Sequence, residues 1–410
     1  MIVSFNKKIY LSWLWVILCS VAIFVTIPIA RTIQKYISSS WGRKSFIYFV
    51  LFVLLLGFFG LFYLLISKLK IRSGKNYVWL FVVTGLYVYF TLKLWDIPEE
   101  AIHFLEYGLL SFFLYKALIH HIKDKSIYFT ATFFGILIGT FDEIIQWAIP
   151  QRVWNFDDVW LNGLSVGLFQ LAIWKVVRPK ILSEKFNAKS LKILTSISAL
   201  CLIILGLCVS NTPQRVSAYT AKIPWLSFLQ KEEPMSEFGY KYKDSEVGIF
   251  YSRLSPTRLK KTDELMGKAY AQILNESATK DYQQFLREYN PIVNSFLHEC
   301  RIHVFRRDRY FKRANRASNL NTKRNYYFIA YKENLILQKY FTQTIENSIY
   351  HWGDSQIEKS GVIIEKEKSY ESPVSANLFT SFTEKDIWLS IFALLSLLVL
   401  VNLIFPLLRN

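Results

Sequence analysis

Three groups of polar side chains stand inside otherwise apolar stretches. Glu99, His103 and Tyr107 fall at i, i+4 and i+8, a spacing that puts them on one face of a helix, with Glu106 on the neighbouring stripe. Asp142 and Gln146 repeat the four-residue step beside Glu143, and Asp158 and Asn162 repeat it again, with Ser165 a turn further on. Arg152 lies in the short link between the last two groups. Charged groups at membrane depth cost ~2.5 kcal/mol or more each, so they are rarely there without a partner or a task. A histidine held by a carboxylate serves as a general base or a metal ligand, or is simply satisfied by a nearby Asp or Arg. Asp142 and Glu143 either bind a divalent cation with His103 or hold one proton at a raised pKa, or one of them pairs with Arg152 and fixes the corner. Asp158 suits the N-terminal cap of the following helix as well as it suits a binding role. Acids outnumber bases locally, and a surplus carboxylate calls for a proton, a cation or a cationic ligand.

The elements that carry these groups are apolar windows of about twenty residues, the length that spans ~30 Å of hydrocarbon. They cover 10–30, 46–66, 77–95, 101–118, 127–149, 159–177, 191–210 and 387–408. With 410 residues, 52% hydrophobic and 17% aromatic, and a mean hydropathy of +0.23, the chain is neither a plain soluble domain nor all membrane. Backbone groups in lipid must be satisfied within helices or closed barrels, and no period-2 alternation supports a barrel. The expected fold is an all-α polytopic bundle of about eight transmembrane helices with an inserted, exported α+β domain. The expected divisions are 1–210, 211–385 and a last helix in 386–410. Lys7 and Lys8 precede the first window as in a signal peptide, but no small-x-small cleavage site follows, so it is read as a retained anchor.

The formal net charge of +18 is concentrated in loops, which in such a chain reports topology. One side carries Lys7, Lys8, Lys68, Lys70, Arg72, Lys75, Lys123, Lys125, Arg178, Lys180, Lys185 and Lys189; the other carries Arg31, Lys35, Arg43 and Arg152 with acidic corners at 96–100 and 157–158. The richer side is cytoplasmic by the positive-inside rule, which puts both termini in the cytoplasm. All three polar groups then lie at the outward ends of neighbouring helices, and the implied object is a polar pocket open to the outer surface.

Region 211–385 mixes signals. Segments 257–274, 282–289 and 342–351 read as helices, while 302–310 and 326–332 alternate enough to read as strands. The basic run 301–313 either rests on anionic headgroups or wall polymers or forms a solvated strand face. Nucleic acid is not an expected partner for an exported region. Three of the four cysteines, Cys19, Cys201 and Cys208, lie in apolar runs and leave Cys300 alone, so neither a disulfide in the polar region nor a metal-type spacing is expected. There is no glycine-rich phosphate loop, HExxH or GxSxG.

The order Glu99-Glu100-x-x-His103-Phe104-x-x-Tyr107, then Asp142-Glu143-x-x-Gln146, Pro150, Arg152, Asp158 and Asn162, resembles the VanZ-like family of bacterial membrane proteins over about 96–167. The chain departs from that pattern in having Glu100 and Ala101 where a basic residue often precedes the histidine, and Ser165 and Gly167 in place of the usual glycine spacing. The resemblance implies a place in the cell envelope and an association with low-level resistance to the glycopeptide teicoplanin, by a mechanism that is not a defined reaction, and it leaves any cofactor open. Two functions follow as expectations. One is a non-enzymatic protein whose pocket binds a membrane lipid such as a lipid-linked wall precursor, or a glycopeptide. The other is a membrane-embedded enzyme acting on a phosphate- or sugar-linked lipid. Transport is less favoured, because no repeat symmetry and no pair of broken helices is evident.

Overall fold

The computed structural model describes residues 2–149, 152–230, 234–361 and 369–407. The chain folds as two compact units, Met1–Cys208 with Trp388–Asn410, and Val209–Ile387. The first contains α1 (Ile2–Trp41), α2 (Ser45–Tyr63), α3 (Gly74–Lys93), α4 (His103–Leu118), α5 (Ser126–Ala148), α6 (Phe156–Leu171) and α7 (Ala188–Val209). Single π-helical turns extend α2 and α6 over Leu64–Lys68 and Ala172–Val177. Among the described residues six helices are long and apolar enough to cross a membrane: Lys7–Trp41, Ser45–Lys68, Ser126–Ala148, Phe156–Val177, Ala188–Val209 and Glu384–Phe405. The chain is therefore multi-pass. The two windows that fall short of the expected eight are α3 and α4. Asn76 and the phenols of Tyr77, Tyr87 and Tyr89 dilute the apolar character of α3. α4 has 16 residues and at 1.5 Å per residue is shorter than the hydrocarbon layer.

Packing explains how polar groups are tolerated at this depth. α2 turns Phe49, Phe52, Leu55, Leu56 and Phe59 outward, as a lipid solvent permits. α4, α5 and α6 form the interior. Helices in lipid gain little from apolar burial and associate through close packing and hydrogen bonds. Both occur here. A Cβ on Gly135 would come within 2.5 Å of Val166, on Gly139 within 2.9 Å of Asn162, and on Gly163 within 2.8 Å of Ile136. Glycine at these three positions lets α5 and α6 touch. Across the α4–α6 seam Ser165 donates to the Phe104 carbonyl (3.1 Å), Ser111 to the Val166 carbonyl (3.1 Å) and Gln170 to the Ser111 carbonyl (3.0 Å).

α1 continues ten residues and more past Pro28 as one helix, where the sequence suggests an end. Proline removes one i to i−4 hydrogen bond but can be absorbed in a membrane helix. The continuation carries Arg31, Gln34 and Lys35 as helical side chains instead of loop charges.

The second unit is also mainly helical: α8 (Pro213–Lys222), α9 (Pro256–Glu276), α10 (Tyr282–Glu288), α11 (Pro291–Arg316), α12 (Leu320–Tyr340), α13 (Thr342–Glu346) and α14 (Asp354–Gly361). A two-stranded antiparallel hairpin, β1 (Tyr240–Asp244) with β2 (Gly248–Ser252), is its sheet, with Tyr242 opposite Phe250. Side chains of Ser255, Asp281, Asn290 and Asn319 cap the starts of α9, α10, α11 and α12. The helices expected over 257–274 and 282–289 are present as α9 and α10, and the one over 342–351 shortens to α13. The strands expected over 302–310 and 326–332 are helix instead. Their short alternation is overruled by the longer pattern: Phe296, Leu297, Cys300, Val304 and Arg307 are buried at three- and four-residue steps along α11, and Tyr327, Phe328, Ala330, Ile336 and Leu337 form the facing side of α12. The chain closes with α15 (Glu384–Leu407), where Trp388 and Ile391 sit over Gly206 and Asn402 donates to Thr195 (2.6 Å).

Candidate functional site

One corner of the first unit is built from the turn between α1 and α2, the 3-10 turn Pro98–Ile102, the ends of α1 and α5, and the start of α6. These enclose a cavity of about 550 Å³. Its polar wall includes Glu100, His103, Glu106, Asp142, Gln146 and Asp158, with Arg31, Arg43 and Arg152 also lining it; Ile23, Ile27 and Phe46 form an apolar side. The three sequence-distant groups do converge.

Each polar residue is held differently. Tyr107, fully buried on α4, donates its hydroxyl to Oδ2 of Asp142 at 3.0 Å. Asp142 is 2% exposed, and its Oδ1 has no hydrogen-bond partner among the described residues. Glu143 points away from the cavity. Its Oε1 accepts from Gln146 Nε2 (2.8 Å) and its Oε2 from the backbone N–H of Asn155 (3.3 Å), and Gln146 Oε1 in turn accepts from Arg152. This chain pins the link between α5 and α6 against α5, so Glu143 shapes the corner, while Asp142 is among the residues that line the cavity. Pro150 lies outside the described residues.

Other sequence expectations shift by a turn. The cap of α6 is Asn155, which accepts from the N–H of Asp157 at 3.0 Å; Asp158 sits inside the first helical turn. Freed from capping, Asp158 lines the cavity, and its Oδ1 is buried without a hydrogen bond among the described residues. Glu99 does not share a face with His103. α4 begins only at His103, and the tighter 3-10 turn before it swings Glu99 round to Arg43, which holds it through two bonds at 2.7 and 2.9 Å. The carboxylate nearest His103 is Glu106, 3.8 Å from Nδ1.

Asn162 does not reach the cavity. It is fully buried at the α5–α6 crossing against Gly139, with neither amide atom hydrogen-bonded among the described residues. Ser165 ties α6 to α4. Glu106, Arg31, Gln34 and Arg43 belong to the site but lie outside the Glu/His/Tyr and Asp/Gln spacings; the sequence signal for Glu106 is its place one helical step from His103. Among the described residues no group of three or more His, Cys, Asp and Glu side chains is placed to hold a metal ion.

Adjoining this space toward the helix ends is a second cavity of about 570 Å³, reached by Lys35 and Ser38 on α1 and by Ile149 after α5. It shares Arg31, Gln34, Arg43, Glu99 and Arg152 with the first. The arrangement is suited to holding a polar group at the edge of the apolar layer, with charge-assisted hydrogen bonds from both signs of side chain. Compared with known families, characterised proteins and solved structures, the chain matches none of them.

Proposed function

We propose that the chain is a VanZ-like integral membrane protein of the bacterial cell envelope, and that its cavity opens outward and binds the polar end of a lipid-linked wall precursor or of a glycopeptide. Binding of this kind gives glycopeptide resistance of the teicoplanin type by holding the ligand, without turnover. The observation that carries this reading is the carboxylate of Asp142, a residue on the cavity wall: one oxygen is fixed by Tyr107, and the other is buried with no hydrogen-bond partner among the described residues. An unpaired acceptor of that kind is costly when empty and is relieved by a donor on a ligand. In this reading the second unit lies outside the cytoplasm, with α7 and α15 as its membrane tethers.

The test is drug susceptibility in cells carrying the full chain or single variants. Asp142→Asn and Arg152→Gln are each expected to lower the teicoplanin concentration tolerated to that of cells without the protein, at unchanged protein level. Equal resistance with either variant would remove the cavity from the function.

A second reading, an enzyme acting on a phosphate- or sugar-linked lipid, is favoured by one observation. His103 lines the cavity with Nδ1 free of hydrogen bonds among the described residues and Glu106 3.8 Å away, a base and a carboxylate at near-contact distance. Conversion of such a lipid by the purified protein, abolished in His103→Ala, would replace the binding reading with this one.

A further inference from the structure

The two adjoining cavities differ in sign. The inner one has Glu99, Glu100, Glu106, Asp142 and Asp158 on its wall, and every arginine that lines it also lines the outer one. The outer one adds Lys35 to Arg31, Arg43 and Arg152, and its one acid, Glu99, already holds Arg43 through both oxygens. Neither Arg31 nor Lys35 has an acidic partner within ion-pair distance among the described residues. The bases are therefore shared by both cavities or, for Lys35, confined to the outer one, while Glu100, Glu106, Asp142 and Asp158 line the inner one alone. Along α1 the lining runs from Ile23 in the inner cavity to Lys35 and Ser38 in the outer, and along α5 from Asp142 in the inner to Ile149 in the outer.

The geometry points to a ligand headgroup of both charges, a phosphate at the bases and a protonated primary amine at the inner carboxylates, as in a phosphoethanolamine amphiphile. This rests on the reading above that the cavity faces outward and binds the polar end of a ligand. A purely anionic headgroup satisfies the bases and leaves the inner carboxylates without a counter-charge. A plain amine does the reverse. A quaternary ammonium supplies charge but no N–H, so it leaves Oδ1 of Asp142 without the donor it lacks. A primary ammonium has three donors and meets both needs. The arginines match phosphate oxygens in planar, two-pronged fashion, and Lys35 adds a point charge.

Binding to the full chain in phosphatidylcholine nanodiscs tests this. The probes are lysophosphatidylethanolamine, lysophosphatidylcholine, lysophosphatidylglycerol and dodecylamine, competed against a fluorescent lysophosphatidylethanolamine. Lysophosphatidylethanolamine is expected to bind about tenfold tighter than each of the others, the size of one charge-assisted hydrogen bond. Asp142→Asn, close in shape, should reduce its advantage over the choline lipid to about threefold or less, and Arg31→Gln with Lys35→Gln its advantage over dodecylamine by as much. Glu106→Gln serves in place of Asp142→Asn should that variant fail to fold. Free phosphoethanolamine that displaces the probe supports recognition of the headgroup alone; displacement only by the lysolipid supports the same headgroup presented from a bilayer. Equal binding of lysophosphatidylglycerol or dodecylamine, or an ethanolamine preference unchanged by the variants, overturns the inference. If drug tolerance still depends on Asp142 in that case, only the headgroup assignment fails; if tolerance is also indifferent to Asp142, the binding reading fails with it.

Discussion

Asp142 and Glu143 are adjacent in sequence, equally buried, and do different work. The difference comes from which oxygen has a partner: both oxygens of Glu143 accept hydrogen bonds from the α5–α6 corner, while Oδ1 of Asp142 is buried without one among the described residues. The second unit shows the opposite treatment of buried charge. Glu333 takes His303 (2.6 Å), Arg306 (2.7 Å), Tyr370 (2.6 Å) and Ser372 (2.9 Å), and Glu299 takes Ser252 (2.6 Å) together with the backbone and side chain of Arg253. Carboxylates so completely satisfied are architecture. His298 in the same unit gives a pH dependence. Burial, then the nearby Arg253 charge, pushes its pKa down from the ordinary 6.5 to about 4, against the opposing effect of its Nδ1–H bond to the Tyr289 carbonyl (3.0 Å). Between those values the unfolded chain takes up a proton that the folded unit refuses, so stability is full above pH 6.5 and falls as pH drops toward 4. Urea unfolding of the full chain in micelles, followed through tryptophan fluorescence, should show that loss, and His298→Gln should flatten it. An unchanged slope in the variant would assign the acid sensitivity elsewhere.

At the scale of elements, the α5–α6 contact positions the site. Asp142 stands two turns from the end of α5 and Asp158 one turn into α6, so their approach depends on those helices packing at backbone distance. Gly135 sits at that crossing, where even a methyl group would meet Val166 within 2.5 Å. Gly135→Leu forces the helices apart and is expected to cost about 1–3 kcal/mol, as overpacking commonly does. It should lower the midpoint of thermal unfolding in micelles and weaken ligand binding without touching a cavity residue. Gly85, with nothing within 4 Å of its Cβ position, is the control, and Gly85→Ala should leave the midpoint nearly unchanged or slightly raised. Equal behaviour of the two variants would contradict the packing account. The α4–α6 seam complements it: three side-chain to backbone hydrogen bonds hold α4 where Tyr107 reaches Asp142.

For the whole molecule, the decisive matter is which way the corner faces. α5 separates Lys123 from Val153, and both side chains are exposed. With the four native cysteines replaced by alanine, an impermeant maleimide applied to intact cells should label Val153→Cys and leave Lys123→Cys unlabelled until the membrane is opened. The reverse pattern would turn the cavity toward the cytoplasm. The charge distribution that motivates this expectation is a property of loops, and loop charge acts through membrane insertion, beyond anything the folded contacts contain.

Much of the membrane unit was legible before any coordinates, because lipid imposes a rule that can be read from single residues: apolar runs of spanning length must be helices, and charges within them must be accounted for. The convergence of Asp142, Gln146, Arg152, Asp158 and His103 followed from their places at the ends of successive apolar runs joined by short links. The tertiary structure decided what local spacing cannot reach. It set the 3-10 turn that sends Glu99 to Arg43, the passage of α1 through Pro28 that brings Arg31 and Lys35 over the cavity, and the cap at Asn155 that releases Asp158. In the second unit the strand pattern over 302–310 failed because side-chain alternation over a few residues is weaker than the burial of one helix face against another. Periodicity belongs to the sequence; which of two compatible periods prevails depends on the partner surface, and that exists only in the folded chain.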